Sequence, residues 1–174
     1  MNRIVGLSAT TLAATLVTSG ALAPPAASAV SNTKDNVSSR AVGTWRMMVD
    51  PRPVQGPNGT IDVPAFPSLV TLHEGGTITD AVSSLAGAAS ALLGADAYTN
   101  GAGVWSASKK SIRFRFQRFF TKDGAYVGSQ VVAGTGRMKG KKTVQVATAT
   151  FYDTTGKIVG IPVTIDAVGT RMKP

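Results

Sequence analysis

The sequence predicts an all-β fold, an eight-stranded antiparallel up-and-down barrel, and three observations carry that expectation. From Lys109 the chain reads Lys-Lys-Ser-Ile-Arg-Phe-Arg-Phe-Gln-Arg-Phe-Phe, apolar and polar residues alternating with the period of a half-buried strand. After Lys122-Asp123-Gly124, which suits a short hairpin loop, Ala125 to Met138 alternates again and is rich in β-branched residues. Further strand-like segments flank this hairpin, joined late in the chain by short turns. No long helix is present to cover a flat sheet, so closure into a barrel is the way to bury one face.

The first strand spans Ala41 to Asp50, with Trp45, Met47 and Val49 on one face and Thr44, Arg46 and Met48 on the other. Residues 51–64 hold Pro51, Pro53, Pro57 and Pro64 with the pair Asn58-Gly59, and read as a loop. Phe66 to His73 is the second strand, Gly75-Gly76 the turn, and Thr77 to Asp80 the third strand. Between strands three and four, Ala81 to Ala97 changes character. Val82, Leu85, Ala89, Leu92 and Leu93 have helical spacing, while Gly87 and Gly94 each weaken a helix by about 1 kcal/mol relative to alanine. A short helical or coil insertion is expected there, covering one end of the core or acting as a lid over a pocket.

Val104 to Ser108 is the fourth strand, and the hairpin supplies the fifth and sixth. Placing Gly124 in a bulged turn pairs Thr121 with Ala125, and so Phe120 with Tyr126, Phe116 with Gln130 and Phe114 with Val132. Thr143 to Asp153 is the seventh strand, Thr154-Thr155-Gly156 its turn, and Lys157 to Arg171 the eighth.

Alternation carried from strand to strand assigns an inner face. With Phe114 and Val132 inside, Gly134, Gly136, Gln145, Ala147, Ala149 and Phe151 follow, then Val159, Ile161, Val163, Ile165 and Arg171. Three inward positions are polar: Arg118, Gln130 and Gln145. A buried arginine needs a partner, so Arg118 either meets an acidic or phenolic ligand or is turned outward by a bulge. Glycines facing aromatics suggest room inside. The expected ligand site is therefore a cavity bounded by Phe114, Phe116, Gln130, Val132 and Gln145, with Arg118 at one end, opening under residues 81–97. It suits a mostly apolar molecule with one acidic or carbonyl end.

Other chemistry finds little support. His73, the one histidine, stands beside Glu74, but adjacent strand residues point to opposite faces, so a solvated turn histidine is expected and no catalytic residue is assigned. One histidine and no cysteine do not make a zinc site of the usual kind. No nucleophile elbow, phosphate loop or dinucleotide fingerprint appears, and no cofactor is expected.

The net charge of +9 favours anionic partners. Lys109, Arg113, Arg115 and Arg137, with Lys139, Lys141 and Lys142 near the following turn, form a basic stripe on the outer face. It suits an anionic surface or polysaccharide, or simply solvates the barrel. Nucleic acid is not expected, because no aromatic interleaves the stripe. Arg3, the mostly apolar Ile4 to Val17 and the small-x-small site Ala27-Ser28-Ala29 read as a secretory signal peptide over residues 1–29. The apolar run is shorter than a membrane-spanning helix, so secretion without a transmembrane segment is expected. Residues 30–40 read as a Ser/Asn-rich disordered leader, and residues 41–174 as the barrel domain.

Gly43-Thr44-Trp45 opens the first strand and Gly169-Thr170-Arg171 closes the last. This resembles the calycin superfamily, which includes lipocalins, fatty-acid-binding proteins and avidins, where a late arginine packs across the ring of a Gly-x-Trp tryptophan. The resemblance implies a calycin-like barrel over residues 41–174 and a small hydrophobic ligand. The lipocalin Thr-Asp-Tyr motif is missing and no helix follows the last strand. The repeated Gly-Val-Trp at 103–105 is similar to compact bacterial lipocalin-like domains, and the layout to allene-oxide-cyclase and dirigent-like barrels. Three functions follow as expectations: a secreted binder of a small apolar molecule, a barrel cyclase or isomerase, and a cell-surface polyanion-binding protein without a pocket.

Overall fold

The computed structural model describes residues 40–56, 59–83, 87–108 and 111–173. The expected signal peptide, the leader up to residue 39, and Lys109 lie outside the described residues. Among the described residues the elements from Gly43 onward follow in order: β1 Gly43–Pro51, β2 Val54–Gly56, β3 Gly59–Ile61, β4 Phe66–Leu72, β5 Thr77–Val82, α1 Gly87–Leu93, β6 Ala97–Tyr98, β7 Gly101–Ser108, β8 Ser111–Lys122, β9 Ala125–Lys139, β10 Lys142–Tyr152 and β11 Ile158–Arg171. A single 3-10 turn, Glu74–Gly76, joins β4 to β5.

Each long strand pairs antiparallel with its two neighbours. The order β8-β7-β5-β4-β1-β11-β10-β9 closes through the β8–β9 hairpin, so eight strands form a closed up-and-down barrel. Closure leaves no long edge of unpaired backbone groups. The loop expected over residues 51–64 contains a small hairpin, β2 with β3. Strand β6 adds two residues against the end of β8. Among the described residues of the insertion between the third and fourth barrel strands, Gly87–Leu93 is helical, and Leu85 lies outside the described residues.

The faces follow the alternation. Trp45, Met47, Leu72, Ile78, Ile112 and Phe151 are buried almost completely. Two details of register differ from expectation. Lys122 pairs with Ala125, so the hairpin turn is Asp123-Gly124 alone. Asp123 (φ 50°) and Gly124 (φ 77°) both take positive φ, the geometry of a type I′ turn, whose twist matches the strands it joins. An extra residue on β9, Val127, then shifts the ladder, so that Phe120 faces Gly128, Phe116 faces Val132 and Phe114 faces Gly134. Beyond the bulge the net displacement from the expected pairing is two residues, which leaves those side chains on their expected face, whereas Tyr126, expected inward opposite Phe120, is exposed.

The second difference concerns Ile161. Between Val159, opposite Phe151, and Val163, opposite Ala149, β11 has two more residues than β10. Gly160 takes positive φ (70°) there, and Ile161 is 59% exposed instead of inward. At the preceding turn, the Asp153 carboxylate accepts from the Thr155 backbone N–H and hydroxyl and from the Lys157 N–H. The Thr155 hydroxyl, before the other contacts, holds that carboxyl below the usual range.

The two motif residues meet where the chain's ends close. Arg171 is the cross-strand partner of Trp45. Its guanidinium, however, lies against Gly43, 3.2 Å from where a Cβ would stand, and donates to the carbonyls of Val42 (2.6 Å) and Arg40 (3.4 Å). The Trp45 indole N–H donates to Ala41 O at 2.9 Å. The arginine thus captures carbonyls beside the tryptophan. The arginine ties the last strand to the backbone leading into the first, and Gly43 provides the space.

Candidate functional site

The barrel interior is divided along its axis. Trp45, Leu72, Ile78 and Ile112 fill one part. Beyond them lies a cavity of about 70 Å³. That is room for about five waters or one compact ligand. All six residues expected to bound it do so: Phe114, Phe116 and Arg118 from β8, Gln130 and Val132 from β9, and Gln145 from β10. Val82, Ala89 of α1 and Tyr98 line it as well, which places the insertion at its end. Leu92 of α1 lies against Gly160 and Leu93 against Gly128, so the short helix rests on the rims of β11 and β9.

Apolar side chains dominate the lining, Met47, Phe66, Val70, Ile165 and Ala167 among them, and Asp80 joins Arg118 on it. The cavity is not where glycines face aromatics. A Cβ on Gly134 would stand 2.6 Å from the Ala147 Cβ and 2.6 Å from Val146 O, and one on Gly136 2.8 Å from the Gln145 side chain. The glycines let neighbours close in and leave no void. Gly134→Leu, which looks like a cavity-filling change in the sequence, would therefore strain the sheet.

Arg118 decides the polar end. It is 6% exposed and points inward, not outward on a bulge, because the bulge sits past it at Val127 on the opposite strand. Its partner comes from the protein. Arg118 Nη2 donates to Asp80 Oδ2, and the Ser68 hydroxyl donates to Asp80 Oδ1. All three residues are buried. Each carboxylate oxygen thus accepts from a donor, the pattern of an ionised carboxylate. Burial pushes the Asp80 carboxyl above its usual range, opposed by the Arg118 charge and the Ser68 hydroxyl. The Arg118 guanidinium also lies 5.6 Å from the centre of the Phe116 ring.

Asp80 and Ser68 are the residues that sequence reasoning missed. A signal for Asp80 was present, since in Thr77-Ile78-Thr79-Asp80 it shares the inward face of Ile78. Ser68 likewise shares a face with Val70 and Leu72. What alternation does not say is that Ser68, Asp80 and Arg118 meet.

His73 and Glu74 are exposed at the 3-10 turn. His73 Nε2 lies 3.2 Å from the Thr79 hydroxyl, and its carbonyl accepts from the Trp105 indole at 3.0 Å. On the outside, Arg113, Arg115, Arg137, Lys139, Lys141 and Lys142 are all exposed. An exposed aromatic pair, Phe119 and Tyr126 at 6.0 Å edge to face, ends the row on β8 and β9. Among the described residues, no helix is long and apolar enough to cross a membrane.

The chain matches no protein-family model, no curated protein and no solved structure.

Proposed function

We propose that this chain is a secreted, calycin-like binding protein that holds a small, mostly apolar molecule inside the barrel beneath α1. The observation that carries this reading is the cavity itself: a closed barrel whose interior is packed in one part and open in another. A barrel serving only as an outer binding surface has no need of that space, and filling it would add burial worth about 25 cal/mol per Å². The apolar wall supplies affinity, and the polar groups at Arg118, Gln130 and Gln145 supply orientation.

Uptake of 4-fluorotoluene, followed by ¹⁹F NMR, tests the pocket. Wild type is expected to shift and broaden the resonance. Ala167 lines the cavity, so Ala167→Met should project into it and weaken uptake at least about tenfold, the equivalent of about 1.4 kcal/mol, with little change in thermal midpoint. A variant that folds and binds as wild type does would remove the pocket reading.

Secretion rests on the charged start at Arg3, the apolar run and Ala27-Ser28-Ala29. Protein recovered from the host's medium should begin at Val30 by N-terminal sequencing, and a retained Met1 would count against export through this signal.

A further inference from the structure

We propose that the molecule held in this barrel is uncharged and presents a carbonyl-type oxygen to Arg118, and that acids of the same shape are excluded. The inference deepens the pocket reading above and rests on it.

Hydrogen-bond capacity supplies the first half. Of the guanidinium nitrogens of Arg118, Nη2 bonds Asp80, while the buried Nε has no acceptor among the described residues. Nε is the one fully buried side-chain polar atom among the described residues without a partner. The side chains of Gln130 and Gln145, which also line the cavity, make no hydrogen bond within the protein's described residues. Both oxygens of Asp80 are already engaged, one by Arg118 and one by Ser68. With Nε unpaired, the polar end has a donor to spare although each Asp80 oxygen already accepts a bond. A buried donor left unpaired costs about 1–3 kcal/mol, which a ligand oxygen recovers on entering.

Charge supplies the second half. An unpaired buried arginine would call for an anionic ligand, but Arg118 is already compensated by Asp80. The pair is neutral as a unit. A ligand carboxylate would bring a second negative charge beside Asp80 into an apolar enclosure, with desolvation of several kcal/mol and no unpaired cation to offset it. A ketone, aldehyde, ester or amide oxygen accepts the same hydrogen bonds without that cost. The surrounding Met47, Phe66, Val70, Phe114, Val132 and Ile165 accept the apolar remainder.

Three ligands with one ring and one differing group separate the terms: 4-fluoroacetophenone, 4-fluorobenzoate and 4-fluorotoluene, titrated into the purified protein at neutral pH by ¹⁹F NMR. The ketone is expected to bind about tenfold or more tighter than the carboxylate, and several-fold tighter than the hydrocarbon, as one recovered hydrogen bond allows. In the double variant Asp80→Leu with Arg118→Met, the ketone should lose its advantage over the hydrocarbon. Tightest binding of the carboxylate would overturn the neutral-ligand inference and leave the pocket standing. Equal binding of ketone and hydrocarbon to wild type would overturn the role of the oxygen. A ketone preference that survives in the double variant would overturn the role of Arg118. Binding of none of the three would remove the pocket reading, and this inference with it.

Discussion

Asp80→Leu is expected to destabilise the barrel by about 3–5 kcal/mol, because it strands a buried arginine without its counter-charge. Arg118 and Asp80 side chains are only 7% and 4% exposed, so solvent does little to replace the lost partner. The same change also takes the nearer acceptor from the Ser68 hydroxyl, which keeps Ala81 O at 3.3 Å. At roughly 3–6 °C per kcal/mol for a domain of this size, the thermal midpoint should fall on the order of 10–20 °C. Adding Arg118→Met should return most of the loss, because a buried ion pair replaced by apolar groups of similar volume is often neutral or stabilising. The double variant should therefore be more stable than the single one, a large coupling in a double-mutant cycle read by denaturant unfolding. A loss below about 1 kcal/mol in the single variant would mean that Arg118 finds solvent or another partner.

Gly103→Ala is expected to cost about 3 kcal/mol or more, for a reason unrelated to charge. Gly103 pairs with Phe116 across β7 and β8. A Cβ there would overlap the Arg115 carbonyl oxygen, and would lie 2.5 Å from the Phe116 Cα and 2.8 Å from the Arg115 carbonyl carbon. These are backbone atoms, so no side-chain rotation relieves the overlap and the two strands must separate. Gly101 shows the same closeness more mildly, with its Cβ position 2.7 Å from the Phe116 ring. Separating β7 from β8 opens the barrel beside the cavity, so ligand uptake should fall with stability. Ala102→Ser, on the outer face one residue away, should change stability by less than about 0.5 kcal/mol. Equal denaturation midpoints for Gly103→Ala and wild type would show that the strands accommodate the methyl group.

Both predictions concern the seam where β8 meets its neighbours, and that seam shows how far local sequence reaches. Alternation named the eight barrel strands, assigned Trp45, Met47, Phe114, Phe116, Val132, Ala147 and Phe151 to the inside, and gathered the six cavity residues on one surface. It did so because a strand's side chains change face at every residue, a rule that each segment obeys by itself. An error of two residues in pairing does not disturb it. This is why, although Thr121 was expected opposite Ala125 and Lys122 is found there, the faces agree beyond the Val127 bulge, where the displacement is two residues, and differ at Tyr126 before it.

What the alternation left open depended on contacts between distant segments. The tight Asp123-Gly124 turn and the bulge at Val127 fix the register jointly, through turn twist and ladder closure, and neither is set by hydrophobic period. The two added residues around Gly160 put Ile161 outside, at a point where β11 lies against Leu92 of α1, a neighbour far away in the chain. The partner of Arg118 was decided in the same way. Asp80 stands 38 residues earlier, on a strand separated from β8 by β7, and only curvature and closure of the barrel bring the two side chains together across its interior. Where no bulge intervenes, which residues face inward follows from bond geometry along one strand and is legible locally. Which of them meet follows from the closed barrel, since burial makes a charge seek its partner across the fold and not along the chain.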